Sequence, residues 1–232
     1  MNESVGRYSD WTPIKNKKMP QNPTPPNDAL EQLLHHEKIW RAGERSSLPG
    51  IPTSFPILDS LLPNHGWPQA SLTEILTSQE GIGALRLVLP AMAQLTQTQW
   101  AIWVCPPHVP YAPALHAAGV TLERVLIVEP DEEQQVDSEY MLWVFEQALR
   151  FSDCGVAMAW LETTPYDRLR RLQLACEEGQ TCGVIFRPES LAAQPSPAAL
   201  RLTLAGGVSN GTNVRILKSQ GGARLRSCQL DL

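Results

Sequence analysis

A glycine-containing turn between an apolar strand and an apolar helix is the first place where this sequence could bind a ligand. The segment TSQEGIGALRLVLP places Gly81 and Gly83 at that turn. In α/β proteins such a turn presents backbone N–H groups and the positive end of a helix to phosphates. A P-loop also needs a lysine and a hydroxyl residue after its last glycine, and here Ala84 and Leu85 stand in those positions. The turn is therefore predicted to be a degenerate P-loop.

Arg86, three residues after Gly83, could donate hydrogen bonds to an anion at this turn, or its side chain could point to solvent or to a carboxylate. The sequence contains no lysine between Lys38 and Lys218. ATP hydrolysis requires positioned charge for the phosphates, for Mg²⁺ and for the attacking water. We therefore predict that the protein is not an enzyme and uses no cofactor, while ATP binding without turnover remains open.

The elements that would position this turn follow one another in a regular order. After a helix at residues 84–95 come the apolar strands WAIWVC, RVLIVE, GVAMAWL and CGVIF, separated by the helical segments APALHAAG, SEYMLWVFEQALR and YDRLRRLQLACEEG. This alternation is typical of an α/β fold with a mostly parallel sheet and helices on both faces. The strands LRLTLA and NVRILKS have no long helix between them, which predicts an antiparallel end of the sheet.

Composition along the chain predicts four regions. Residues 1–27 are rich in Pro, Asn and Lys and are expected to be a disordered tail. Residues 28–49 contain the helical pattern DALEQLLHHEKIWRAGE and a linker. Residues 50–220 are expected to form the core, and residues 221–232 a C-terminal tail that could order on a partner.

Charge and cysteine content limit the classes of partner and cofactor. The net charge of -5 restricts any DNA contact to a local basic face. The chain has neither an apolar leader nor a run long enough to span a membrane, so a cytoplasmic protein is expected. The cysteines lack the spacing of metal ligands and are predicted to be reduced packing residues, with no metal site. They are Cys105, Cys154, Cys176, Cys182 and Cys228.

The stretch TSFPILDSLLPNHGWPQASLTEIL resembles the entry to the core of the RecA recombinase family. The resemblance covers about residues 50–220 and implies a RecA-like fold. Pro107 stands where that family has a catalytic glutamate, and Trp160 replaces the Walker B aspartate, while Glu162 falls two residues later. The residues that match the family pattern are Thr53, Leu58, Asp59, Leu62, Gly66, Pro68, Glu74 and Ile75.

A smaller family is similar over nearly the whole chain after residue 28. The segments KIWRAGE, GWPQASLTEIL, GIGALRLVLPAMAQLT, AWLETTPYDRLRRLQLACEEG and SPAALRLTLAGG together resemble ImuA, a RecA-like protein of translesion DNA synthesis. This implies an SOS-induced accessory protein whose partners are an ImuB-type Y-family polymerase homologue, RecA, and the error-prone polymerase III α subunit. The related SulA family inhibits cell division through FtsZ and shares the lysine-free turn. The IWRAGE helix and the C-terminal section favour ImuA.

If catalysis is absent, surface residues must carry the function. The helix YDRLRRLQLACEEG alternates leucines with arginines, which predicts either a solvated face or a contact with DNA or protein. The basic C-terminal region and the exposed side of the entry helix are further candidates, whereas VEPDEEQQVDSE would repel DNA. The predicted contact residues are Trp40, Arg168, Arg170, Arg171, Arg215, Lys218, Arg224 and Arg226.

Three hypotheses follow. An accessory subunit of translesion synthesis is the main prediction, and it would bind ImuB or RecA without ATP turnover. A SulA-like division inhibitor that binds FtsZ is the alternative. An active ATPase is disfavoured at each motif position.

Overall fold

The apolar runs of the sequence assemble into one sheet. The computed structural model describes residues 50–79, 81, 83–129, 138–206, 211–219 and 226–232. The predicted N-terminal tail, the entry helix with Trp40, and Arg224 lie outside the described residues. Within those ranges the strands are β1 (Leu72–Thr77), β2 (Trp100–Val104), β3 (Val125–Val128), β4 (Cys154–Trp160), β5 (Cys182–Pro188), β6 (Leu200–Gly206), β7 (Thr212–Ser219) and β8 (Arg226–Leu230).

The described helices connect these strands in the predicted alternation. They are α1 (Pro56–Leu61), α2 (Ala84–Leu95), α3 (Ala112–Ala117), α4 (Ser138–Arg150) and α5 (Tyr166–Gly179). Short 3₁₀ turns lie at Pro63–His65, Leu122–Arg124 and Glu189–Leu191. The link from β5 to β6 has no α-helix, only the last of these turns and an extended segment. We call residues 189–199 the strap.

The strand order is β3-β2-β4-β5-β1-β6-β7-β8. Strands β1 to β6 pair in parallel, and β7 and β8 continue the sheet in antiparallel pairing. The prediction of a mostly parallel sheet with an antiparallel end is therefore confirmed. Parallel strands of this kind are buried on both faces, which explains why they read as continuous apolar runs.

Two apolar clusters cover the two faces of the sheet. On the first, which we call the α2 face, Leu87 and Met92 of α2 and Leu58 of α1 pack against the strands. On the second, the α4 face, Phe145 of α4 and Leu169 of α5 pack against β2, β4 and β5. Because side chains alternate along a strand, neighbouring residues of one strand serve different clusters.

The C-terminal region differs from the predicted free tail. Residues 226–230 form β8, which pairs with β7 at the edge of the sheet, and Leu230 is buried. The segment RSCQL gives a weak strand signal because its outward residues are polar, so its strand state depends on the neighbour β7. The interval between β7 and β8, residues 220–225, lies outside the described residues.

Candidate functional site

The turn between β1 and α2 needs glycine for its backbone. Gly81 has φ of 78° and Gly83, the N-cap of α2, has φ of 91°, both in the left-handed region that L side chains rarely adopt. A Cβ added to Gly83 would lie 2.7 Å from Leu232 Cβ, so the Leu232 side chain rests directly against the turn. Arg86 is exposed. The turn thus has an apolar neighbour, and no phosphate-binding loop of the RecA kind is shown.

The segment after β2 does not build a nucleophilic site. Cys105 follows β2 with φ of 47°, and His108 is exposed. Burial raises the pKa of the Cys105 thiol, and the charge of Glu129 raises that pKa further. Because the thiolate is the reactive form, this environment suppresses reactivity at neutral pH. Among the described residues, no group of three or more His, Cys, Asp or Glu could hold a metal ion.

Aromatic rings fill the carboxyl ends of β2, β4 and β5 on the α2 face. Trp160 stacks on Phe186 with a centroid distance of 4.9 Å and tilts against Trp103 at 5.8 Å. Ligands of open α/β sheets usually bind beyond the carboxyl ends of the strands. Here packed aromatic rings occupy the carboxyl ends of these strands, and position 160 holds a tryptophan instead of a carboxylate.

Trp67 and Trp103 are buried, but Trp143 is 56% exposed. Trp143 stacks on Tyr140 of the same helix, with centroids 6.3 Å apart. The amphipathic pattern of α4 does not reveal this, because a tryptophan at the edge of an apolar stripe can lie on either side of the boundary. An exposed aromatic pair is typical of protein contacts.

A buried cluster of charges lies on the α4 face at β1, β5 and β6. The Glu74 carboxylate is fully buried; it accepts a hydrogen bond from Arg201 Nε at 2.8 Å and a longer one from Arg187 Nη1 at 3.5 Å. The Ser196 hydroxyl also donates to Glu74. Arg187 Nη2 is buried and has no hydrogen-bond partner among the residues that the structure describes. In the sequence Glu74 stands out only as a match to the RecA family pattern, so this cluster was not predicted, although a charged residue inside each of three apolar strands was a usable signal.

The same cluster holds the strap in place. Arg201 donates to the backbone carbonyls of Leu191, Ala192 and Gln194, and Lys218 Nζ donates to Ser196 O at 2.8 Å. Partial burial and the charge of Arg201 lower the pKa of Lys218, and Glu74 opposes this shift. The strap, held by these cations, therefore covers β1 and β6 where a crossover helix would otherwise lie. In this cluster the cations Arg187, Arg201 and Lys218 outnumber the carboxylate of Glu74.

The predicted arginines of α5 have different surroundings. Arg168 pairs with Glu139 at 2.8 Å, and Arg171 pairs with Glu146 at 2.7 Å, so both link α5 to α4. Arg170 is exposed. A shallow cleft between the helices is lined by these ion pairs and by Leu142, Trp143 and Leu172. Pairing explains two of the arginines structurally, and their predicted role in partner contact is untested.

The described basic residues of β7 and β8 are Arg215, Lys218 and Arg226, and all are exposed. Arg215 lies opposite Thr203 of β6 and Ser227 of β8, whereas Arg226 lies opposite Ile216. Since paired residues share a face, Arg215 is on the α4 face and Arg226 is on the α2 face. The structure thus separates two residues that the sequence placed in one basic tail.

Within the residues that the structure describes, no helix is long and apolar enough to cross a membrane.

Comparison with known proteins gives one consistent relation. Residues 70–183 match the family model described as cell division inhibitor SulA. A SulA from Edwardsiella piscicida is 28% identical over 130 residues, which are 53% of this chain and 74% of that protein. A SulA from Pectobacterium carotovorum is 27% identical over 122 residues, 51% of this chain and 69% of that protein. The crystal structure of SulA from Pseudomonas aeruginosa covers 52% of this chain and 99% of its own, with 24% identity and a TM-score of 0.41.

Proposed function

We propose that this chain, whose residues 70–183 are related to the SulA family, is a non-catalytic inhibitor of cell division in the SOS response that acts by binding FtsZ. The family match is the observation that carries the proposal. It favours the alternative of the sequence analysis over its main prediction. The ImuA relation, with its role in translesion synthesis, is a second candidate below.

The surface of the matched segment supports action through protein contacts. Nine of the ten large apolar side chains exposed among the described residues lie between residues 70 and 183, and only Ile57 lies outside. Contiguous exposed apolar patches mark interaction sites, whereas scattered single side chains are normal, so the residues that lie near one another carry the weight here. The nine are Val109, Tyr111, Leu126, Ile127, Tyr140, Trp143, Phe151, Tyr166 and Leu174.

Two groups among these residues are suited to a protein partner. Leu126 and Ile127 lie on β3, which among the described strands pairs only with β2, and they are 47% and 37% exposed. Val109 and Tyr111 follow the neighbouring strand β2 and are 81% and 72% exposed. An exposed apolar edge strand is a liability that proteins normally cover. FtsZ is the covering partner that the family relation suggests for this edge.

The stacked pair Tyr140 and Trp143 forms the second group. Aromatic side chains supply the central anchors of many interfaces because they bury a large area with few rotatable bonds. Trp143 also borders the cleft that the α4–α5 ion pairs line. We assign to this pair the role of an anchor on FtsZ.

The test is GTP-dependent assembly of purified FtsZ, followed by light scattering with increasing amounts of this protein. Inhibition of assembly is expected, together with weaker inhibition by Trp143→Ala and by Leu126→Asp. Truncating an interface anchor typically costs about 2 kcal/mol or more of binding free energy. The reason is that the partner pocket loses its apolar contact.

Ile57→Ala is the matched control, because Ile57 is 57% exposed and lies outside the matched segment. This variant should inhibit as strongly as the unchanged protein. Unaltered FtsZ assembly at a large excess of protein would overturn the proposal. An equal loss of inhibition in Ile57→Ala would indicate that the contact with FtsZ is not confined to residues 70–183.

A role in translesion synthesis is the second candidate, and one observation favours it. Strands β6 to β8 extend the sheet beyond residue 183, where the match to the SulA family ends. These strands give the chain a surface that the matched segment does not contain. Partners on that surface would be an ImuB-type polymerase homologue, RecA, or the error-prone polymerase III α subunit.

A pull-down from SOS-induced cells separates the two candidates. Recovery of FtsZ supports division inhibition, and recovery of the ImuB homologue or RecA supports translesion synthesis. Truncation is unsuitable for this comparison, since β8 belongs to the sheet and its removal would expose β7.

A further inference from the structure

We propose that the exposed α4 face of β7, centred on Arg215 and Lys218, binds the phosphodiester backbone of a nucleic acid. This site lies outside the segment related to SulA and is independent of the proposed contact with FtsZ.

Charge is strongly segregated along this chain. Residues 200–232 carry five arginines and lysines and one aspartate, a net charge of +4, whereas the whole chain carries -5. Residues 1–199 therefore carry -9. Within the described part of β6 to β8 and the residues after it, Asp231 is the one acidic side chain. Of these five cations, Arg201 is buried beside Glu74 and Arg226 lies on the α2 face. Arg215 and Lys218 are the described pair exposed on the α4 face, where they attract anions locally on an otherwise acidic protein.

A bulge brings Arg215 and Lys218 to the same face. Residues three apart on a regular strand point to opposite sides. The register between β6 and β7 shifts at Arg201 and Leu202, so that Arg215 lies opposite Thr203 and Lys218 lies opposite Arg201. Because Thr203 and Arg201 are two residues apart, they share a face, and their partners share it too. Bulges of this kind re-aim side chains and are common near functional sites.

The interior beneath this face has an excess of positive charge. Lys218 lies directly opposite Arg201, and Glu74 is the carboxylate that Arg201 and Arg187 share. Like charges opposite each other across antiparallel strands are destabilising. An anion bound at the surface beside Lys218 would offset the repulsion between Lys218 and Arg201, as a second carboxylate would. Arg215 makes no ion pair with the described residues.

Side chains around the two cations favour nucleic acid over an acidic protein. Asn213 and Ser227 are exposed beside Arg215 on the same face. Phosphate oxygens are recognised by Arg, Lys, Ser and Asn side chains, a combination that positions a backbone without reading its sequence. Protein interfaces instead need apolar anchors, and the exposed ones in the described part of the chain lie mainly in residues 70–183.

The experiment is fluorescence anisotropy of the full chain with a labelled short duplex and with one of its strands, both of mixed sequence, across a range of salt concentrations. Binding at low salt is expected, with affinity that falls as salt rises and does not depend on sequence. Arg215→Gln and Lys218→Gln should each reduce the slope of log affinity against log salt by about 1, and the double variant by about 2.

Gln147→Glu on α4 is the matched control, because it lowers the net charge by the same unit as Arg215→Gln at an exposed position. The helix α4 packs against β2 and β4, which are separated from β7 by three strands or more in the sheet. It should leave the slope unchanged. Lack of binding to either probe at low salt, or an equal loss in Gln147→Glu, would overturn the proposal. Complete displacement by polyglutamate at equal charge concentration would also overturn it, since an acidic protein would then fit the face as well. A thermal melt of each variant separates loss of binding from loss of folding.

Discussion

Glu74 and Arg201 occupy paired positions on the parallel strands β1 and β6, and Arg201 Nε donates to Glu74 Oε2 at 2.8 Å inside the protein. The Glu74 side chain has no exposed surface, and that of Arg201 is 7% exposed. Removing two charges from water costs free energy that their attraction repays only with good geometry. Removing one partner alone is worse, because the other charge stays buried without compensation.

Glu74→Gln should therefore destabilise the protein strongly. The amide keeps the shape of the carboxylate but leaves Arg187 and Arg201 without a counter-charge, and the expected loss in the free energy of unfolding is about 3–5 kcal/mol. Urea denaturation measures it. Glu178→Gln is the control, because Glu178 is 63% exposed and pairs with Arg150 at the surface. Its expected cost is below about 1 kcal/mol. Equal effects of the two changes would contradict a structural role for the buried carboxylate.

A second prediction concerns the close packing of α5 against the end of α4. A Cβ added at Gly179 would lie 2.0 Å from the backbone oxygen of Leu149, and a backbone atom cannot move aside cheaply. Gly179→Ala should lower stability by about 1–3 kcal/mol or more, since overpacking forces backbone shifts. Gly206→Ala is the matched control, because a Cβ there meets no atom of the described part of the chain within 4 Å. A shift of the thermal midpoint in Gly179→Ala alone is expected, and an unchanged midpoint would contradict the packing.

Much of the fold follows from the sequence, and the limits have physical causes. Apolar runs such as Val156 to Ala159 predict buried parallel strands because both faces of the sheet are covered. Strand order does not follow, since β5 and β6 both pair with β1 through crossovers that local patterns do not record. The strand β8 was missed because its polar residues form an edge and only pairing with β7 makes it extended.

For the candidate contact residues, too, the sequence predicts burial along a helix better than it predicts contacts between elements. Alternation of leucines and arginines correctly predicts that Leu169 and Leu172 of α5 are buried, but it is wrong for Leu174, which is 49% exposed. It does not predict that Arg171 reaches Glu146 on another helix, because that pairing depends on how α4 and α5 pack together. A single charged residue inside an apolar strand was the overlooked signal for Glu74. Such a residue is expected to find a buried partner, and the partner lies far away in sequence.

Thiol labelling tests the environment of Cys105. Burial and the charge of Glu129 raise its pKa, so alkylation at mildly alkaline pH should be slow. Glu129→Gln should lower that pKa and accelerate labelling of Cys105, because one of the two causes is removed. Glu123→Gln, an exposed carboxylate without this effect on the thiol, is the control. Mass spectrometry of the labelled peptides gives the rate for each cysteine. Equal rates in both variants would contradict the influence of Glu129.

The buried thiols predict how stability changes at alkaline pH. Burial raises the pKa of Cys154 and of Cys182 from 9.0 to about 12. Between these values the unfolded chain releases the thiol protons while the native protein keeps them, so unfolding becomes more favourable as pH rises. Their contribution to stability is complete below pH 9.0 and is lost as pH rises towards about 12. Each thiol should add a slope of about 1.4 kcal/mol per pH unit in this window.

Cys182→Ala isolates one of these slopes from those of lysines and tyrosines that titrate in the same range. The variant loses stability at neutral pH because a buried sulfur is removed, but that loss is independent of pH. The measurement is the free energy of unfolding in urea at several pH values above 9.0, the ordinary thiol pKa, for both proteins. The difference between them should shrink as pH rises, since the variant no longer has that proton to retain. A constant difference would show that Cys182 ionises in the native protein as readily as in the unfolded chain.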